Sequence, residues 1–270
     1  MPFLRQLHNQ KPQAWGPVSQ VQSSIFKNAE RIGIDPSSIA LAMPMWGPGD
    51  QLDYAKNVKG TNTSVGYSNN SLQFGSSVSR VSIPGTSFPY LSGCIVFGLI
   101  PNWFSYGGTN NTLLDSNTSR NLLTHNQSNG LLFYNDGRYV FYSYANAPID
   151  AYKYHTIVTE YNKTGTVQRL WLNGKECTSS APTGTWGDNT IGTSMYIGDR
   201  FEGTNESANA AFTHFFVFSV APSTSKIAYL SDNPYYLLQR IAPVFYSLPG
   251  GGETPTFKPY WAQNATRIAI

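Results

Sequence analysis

Charge is what this sequence has least of. Asp, Glu, Lys and Arg make up 12% of its 270 residues, about half the share usual in soluble domains. That excludes a coiled coil or helical bundle, which needs abundant Glu, Lys, Arg, Ala and Leu. The net charge is +3 with basic residues scattered along the chain, so neither nucleic acid nor an anionic membrane is an expected partner. No apolar run approaches the ~18 residues that would span a bilayer. Met1 to Gln22 has no apolar stretch of the signal-peptide kind, so a secretory route is not expected. The Asn-x-Ser/Thr triplets at Asn111, Asn162 and Asn264 then read as chance in an Asn-rich chain.

Cysteine is equally scarce. Cys94 and Cys177 are the two present. They form no CxxC and are not expected to pair, and Cys94, inside the apolar stretch Leu91 to Ile100, reads as a core thiol. The familiar catalytic signatures are missing too. There is no GxSxG, no HExxH, and no phosphate-loop or dinucleotide pattern after Gly47-Pro48-Gly49. A sandwich glycosidase would hold two carboxylates ~5–9 Å apart, seen as acids alternating on one strand. Glu202 and Glu206 instead lie in a turn-rich stretch. The expectation is therefore no enzyme and no cofactor. Loop oxygens of Asp188, Asn189, Asp199 and Glu202 offer calcium a foothold, but no motif supports it, and Asx residues in loops ordinarily shape turns.

Aromatic residues, by contrast, reach 14%, with 17 Tyr, 15 Phe and 6 Trp beside 24 Gly and 17 Pro. Disorder is excluded by that content. Between turn residues lie short strands. Ser71 to Phe74 and Arg80 to Ile83 alternate polar and apolar positions, and Cys94 to Ile100 is continuously apolar, as a strand covered on both faces would be. Leu131 to Tyr134 and Tyr139 to Tyr142 flank Asn135-Asp136-Gly137-Arg138, and Arg169 to Leu172 leads into Asn173-Gly174. Both are hairpin signals. His155 to Tyr161, Ser194 to Ile197 and Thr213 to Val220 complete the set. Ser223 can cap a helix carrying Ile227 and Leu230 that Asp232-Asn233-Pro234 ends.

The chain divides into an N-terminal arm (1–38), a β-sandwich (39–248) and an extended tail (249–270) after the joint Gly250-Gly251-Gly252. Residues Met1 to Ser24 show no periodicity, and Ile25 to Gly33 suits one or two helical turns. Phe257, Tyr260, Trp261 and Ile268 are too few to build a core in the tail, so they are candidate partner contacts. Trp103 and Trp186, near turn residues, are the candidates for stacking on a sugar ring, although most Trp in a sandwich serve the core. The four histidines, His155 and His214 among them, read as satisfied side chains.

From Tyr154 to Leu230 the chain resembles the laminin-G-like, or concanavalin A-like, jelly-roll family. The resemblance rests on His155-Thr156-Ile157-Val158, Leu170-Trp171-Leu172-Asn173-Gly174, Met195-Tyr196-Ile197-Gly198, Phe215 to Phe218 and Lys226 to Leu230, with Ser71 to Phe74 and Arg80 to Pro84 as the early strand pair. It implies an all-β jelly-roll sandwich with one short helix after the last strand and extended arms at both ends. Where the family often has Asp and Glu, this chain has Thr213-His214 and Lys226, so no calcium or sugar ligand is carried over. Asp232 to Leu238, Val244 to Tyr246 and Tyr260 to Ile268 are similar to segments of tailed-phage structural proteins. That similarity implies a non-enzymatic virion subunit, a capsid decoration or head–tail accessory protein. Its arms would bind the major capsid protein, other virion subunits or further copies of itself. The alternatives are a carbohydrate-binding adhesion module and, third, a glycan hydrolase or lyase.

Overall fold

The computed structural model describes residues 18–45, 47, 49–68, 71–75, 78–103, 110–116, 121–126 (backbone), 130–143, 149–165, 167–176, 181–187, 192–200 and 207–240. The tail with Phe257, Tyr260, Trp261 and Ile268 lies outside them. The first strands are β1 (Ile39–Met43), β2 (Gln51–Asp53), β3 (Val58–Thr63), β4 (Gly66–Ser68), β5 (Ser71–Phe74), β6 (Arg80–Pro84), β7 (Ser92–Pro101) and β8 (Asn111–Ser116). They are followed by β9 (Asn121–Asn126), β10 (Gly130–Asn135), β11 (Arg138–Ser143), β12 (His155–Asn162), β13 (Val167–Leu172), β14 (Lys175–Glu176), β15 (Ser194–Ile197) and β16 (Ala210–Phe218). Helix α1 (Val18–Arg31) precedes the strands and α2 (Thr224–Asp232) follows them.

These strands make two antiparallel sheets, an all-β sandwich as the strand pattern implies. One sheet runs β14-β13-β12-β7-β16-β5-β4, and the other β11-β10-β9-β8-β15-β6-β3-β2. The nine residues of β16 carry β7 along one side. On the other side β5 pairs with Ala210 to Phe212 and β1 with Phe215 to Phe218. Between the sheets lies the main core. There Phe212 stacks on Phe97 at 5.6 Å between centroids and meets Phe74 edge-on at 4.8 Å, the offset arrangements that aromatic pairs favour.

The continuous apolar run of β7 has its explanation in a second core. On the outer face of the first sheet, Cys94, Val96, Val158, Trp171, Phe216 and Phe218 are buried beneath Val21, Ile25, Ala29, Ile227 and Leu230. The central strands are therefore covered twice. Cys94 is free and fully enclosed there, and burial pushes its thiol pKa well up. Its counterpart Cys177 lies outside the described residues.

Helix α1 corrects the sequence reading. One or two turns over Ile25 to Gly33 were expected after an aperiodic arm, whereas the helix has 14 residues and begins at Val18. Val21, Ile25 and Ala29, spaced four apart, make a narrow apolar stripe in a Gln- and Ser-rich setting. Such a stripe is weak as a periodic signal, and packing rather than propensity stabilises the helix. Gly33, at φ 71°, ends it: its amide donates to Glu30 O at 2.8 Å and that of Ile34 to Ala29 O at 2.9 Å, closing the last turn as a left-handed cap does. Lys226 of α2, where the resembling family often has Glu, donates from Nζ to Gly33 O. The expected helix after the last strand is present as α2. Ser223 occupies its cap position, but the Ser223 hydroxyl meets Ser225 Oγ at 3.1 Å instead of a backbone amide.

Candidate functional site

Both hairpin turns form with left-handed central residues, Asp136 at 47° and Gly137 at 89°, Asn173 at 51° and Gly174 at 75°, the geometry that Asp-Gly and Asn-Gly favour. The second turn is structural. Asn173 Oδ1 accepts from the Thr156 amide at 2.9 Å, and its Nδ2 donates to His155 Nδ1 at 3.2 Å. His155 Nε2 therefore carries the proton that it donates to Asp150 O at 3.1 Å. Burial lowers the His155 pKa, against the raising influence of Asp150. The unfolded chain thus takes up this proton at a higher pH than the folded one. The contribution of His155 to stability is full above about pH 6.5 and declines as pH falls below it. Urea unfolding at pH 7.5 and 5.5 should show a smaller loss for His155→Gln than for the unmodified protein; equal losses would show that His155 does not carry the effect.

The first turn lies at an end of the sandwich where four segments meet: the β10–β11 turn, the turn after β12, the approach to β7 and residues 181–187. Asp136 Oδ2 accepts from Lys163 Nζ at 2.7 Å, and the two side chains are 2% and 8% exposed. The same ammonium stands 3.7 Å from the centroid of the half-buried Tyr90 ring and 5.9 Å from that of Trp186. The Arg138 guanidinium lies 5.3 Å from the Trp186 centroid. Segment 181–187 is tied to this hairpin, the Gly187 amide donating to Asp136 O at 2.6 Å and Tyr139 and Thr183 exchanging backbone bonds of 2.9 Å.

Gln168 of β13 bridges the two sheets here, donating from Nε2 to Phe133 O at 3.0 Å and Arg138 O at 3.2 Å. Its Oε1 is buried without a hydrogen-bond partner. Asn135 is 1% exposed, and neither its Nδ2 nor its Oδ1 has a partner. Trp186 Nε1 and Arg138 Nε are in the same condition. Buried polar atoms without partners are rare in native proteins and each costs about 1–3 kcal/mol. Five lie at one end of the fold, donors and acceptors mixed. Aromatic and cationic groups lie beside them.

Of the two tryptophans read as sugar-stacking candidates, the structure brings Trp186 into this cluster and removes Trp103 from consideration. Trp103 is 6% exposed within the inter-sheet core, its Nε1 donating to Ala208 O at 2.8 Å, so neither ring face can meet a ligand. His214 is fully buried, with Nδ1 3.2 Å from Thr213 Oγ1 and its ring against Phe216 and Tyr235. Of the loop oxygens considered for calcium, Asp199 is buried and accepts from the Arg200 amide at 2.8 Å, and burial raises its pKa. Asp188, Asn189 and Glu202 lie outside the described residues. Among the described residues no three His, Cys, Asp or Glu side chains converge as a metal site would need. Sequence reasoning missed Tyr90, Asn135, Asp136, Arg138, Lys163 and Gln168 as site residues. Three are scattered polar or aromatic positions, and Asn135-Asp136-Gly137-Arg138 is fully accounted for as a turn until the burial of its side chains is seen.

No protein-family model and no curated protein matches the chain. Solved structures do. A Trypanosoma rangeli sialidase in complex with sialic acid is similar with a TM-score of 0.61 and 11% identity, over 82% of this chain and 38% of that one. The covalent intermediate of the T. rangeli sialidase with 2,3-difluorosialic acid gives 0.59 and 12%, over 74% and 33%. The receptor binding domain of botulinum neurotoxin C/D mosaic serotype gives 0.55 and 12%, over 76% and 55%. These identities show the fold alone, and the chain spans little more than a third of the sialidases and about half of the neurotoxin domain. The matches nevertheless correct the expectation of a non-enzymatic capsid decoration or head–tail subunit, and with it the expectation that the chain is not an enzyme. Those named are sialidases and a receptor binding domain.

Proposed function

We propose that this chain is a glycan-recognition sandwich of the laminin-G-like or concanavalin A-like kind. It binds sugar at the end of the fold marked by Trp186, Tyr90 and Arg138. The observation that carries this reading is the half-buried Trp186 ring with the half-buried Arg138 guanidinium 5.3 Å from its centroid. A sugar hydroxyl is donor and acceptor at once and complements a guanidinium N–H, while the sugar's C–H face suits an aromatic ring. The structural neighbours accord with it: one is a sialidase in complex with sialic acid and another is a receptor binding domain.

Two substitutions test the reading on an array of neutral and acidic oligosaccharides, with bound sugars then measured by titration calorimetry. Trp186→Ala is expected to weaken binding at least about thirtyfold, as loss of a central aromatic anchor does. Tyr90→Ala removes the other half-buried ring of this end. It should weaken binding by a comparable factor, with urea midpoints showing that the fold is kept. An array without hits, or a Trp186→Ala protein that binds normally, overturns the proposal.

A further inference from the structure

The charges of the Trp186 cluster do not cancel. Lys163 is matched by Asp136, but Arg138 has no carboxylate within ion-pair distance among the described residues, whose ion pairs are Lys153 with Asp150, Lys163 with Asp136, and Arg169 with Glu160 and Glu176. The guanidinium is half-buried, its Nε has no acceptor, and the Trp186 ring lies within cation–π distance of it. A partly desolvated cation without a counter-charge is unfavourable, and among the described residues Arg138 has none. An arginine held near an aromatic ring with unused N–H donors is suited to a planar anion, and its fork matches the two oxygens of a carboxylate.

From this we infer that the glycan read at this end of the sandwich is acidic, a sugar carrying a carboxylate that Arg138 engages. The inference rests on the glycan reading above and narrows it. Lys163 is not the anion's first partner, because Asp136 already holds its ammonium at 2.7 Å. A neutral oligosaccharide would leave the Arg138 charge uncompensated, so the site discriminates by charge as well as by shape.

The test uses matched pairs: sialyllactose against lactose, and a glucuronate-terminated disaccharide against its glucose-terminated counterpart, each also offered as the carboxyl methyl ester. In at least one pair the acid should bind at least about tenfold more tightly than its ester or neutral partner, the margin expected of a charge-assisted bidentate contact. That margin should shrink as NaCl is raised from 0.05 to 0.5 M. Arg138→Gln should bring acid and ester to equal affinity, and Arg138→Lys, which keeps the charge but loses the fork, should leave an intermediate preference. The salt series on the unmodified protein keeps the inference testable if a variant fails to fold. If acid and ester bind equally, or neutral sugars alone bind, the acidic inference is overturned while the glycan reading stands. If no member of any pair binds and the wider array is also blank, both fall.

Discussion

Replacing Lys163 with Met is expected to destabilise the protein by about 3–5 kcal/mol, the range seen when one partner is removed from a buried ion pair. Asp136, 2% exposed, would keep its charge away from water and without its ammonium partner. The reciprocal change, Asp136→Asn, strands the Lys163 ammonium instead. Asparagine tolerates the left-handed backbone of Asp136 as well as aspartate does, so turn strain does not confound the comparison. Part of the loss would be offset by the Tyr90 ring, 3.7 Å beneath the ammonium. In urea unfolding, the doubly substituted protein should recover most of the combined loss, because two neutral side chains leave no unpaired charge. A coupling energy below about 0.5 kcal/mol would mean the two charges act independently, and the picture of a dry ion pair would be wrong.

Gly198→Ala is expected to cost about 2–5 kcal/mol. Gly198 sits at φ 89°, a conformation that alone penalises alanine by about 1–2 kcal/mol. A Cβ there would also run into the Phe74 ring, and overpacking adds about 1–3 kcal/mol. Neither side can yield readily. The Gly198 amide donates to Leu113 O at 2.9 Å and its carbonyl accepts from Ala208 at 2.7 Å, while Phe74 is wedged against Phe212. Adding Phe74→Leu should relieve the overlap, so the pair of changes should cost less than the sum of its parts. Strict additivity in thermal or urea unfolding would exclude the collision as the cause.

How far the sequence could be read follows from which physical signals are local. The Asp-Gly and Asn-Gly hairpins, β5, β6, β7 and α2 are written in turn chemistry and short-range alternation. The double burial of β7 shows in its lack of polar positions. By contrast β3, with the sequence Val-Lys-Gly-Thr-Asn-Thr, and β4, Gly-Tyr-Ser, carry little apolar signal and are strands because neighbours pair with them. Helix α1 depends on a surface supplied by strands and turns as distant as Leu237 and Leu238. The Trp186 cluster was the least legible part. Its members come from Tyr90, the β10–β11 turn, Lys163, Gln168 and Trp186, and the property that marks it, the buried unpartnered atoms of Asn135, Arg138, Gln168 and Trp186, exists only once the sheets have closed over them. Trp186 alone was visible beforehand, through its turn context.

One further consequence concerns biosynthesis. The Asn28 amide in α1 donates to Tyr236 O at 3.1 Å and Gln239 O at 2.7 Å, 208 and 211 positions downstream, and β1 finds its partner only in Phe215 to Phe218. The earliest described elements therefore emerge from the ribosome with nothing to pair against. At about 5–20 residues per second, they wait about 10–40 s for the last strand and α2 to be made. Throughout that interval β1 and the apolar stripe of α1 remain open to wrong partners, so slower elongation should lower the soluble yield, and chaperone capacity early in translation should govern it.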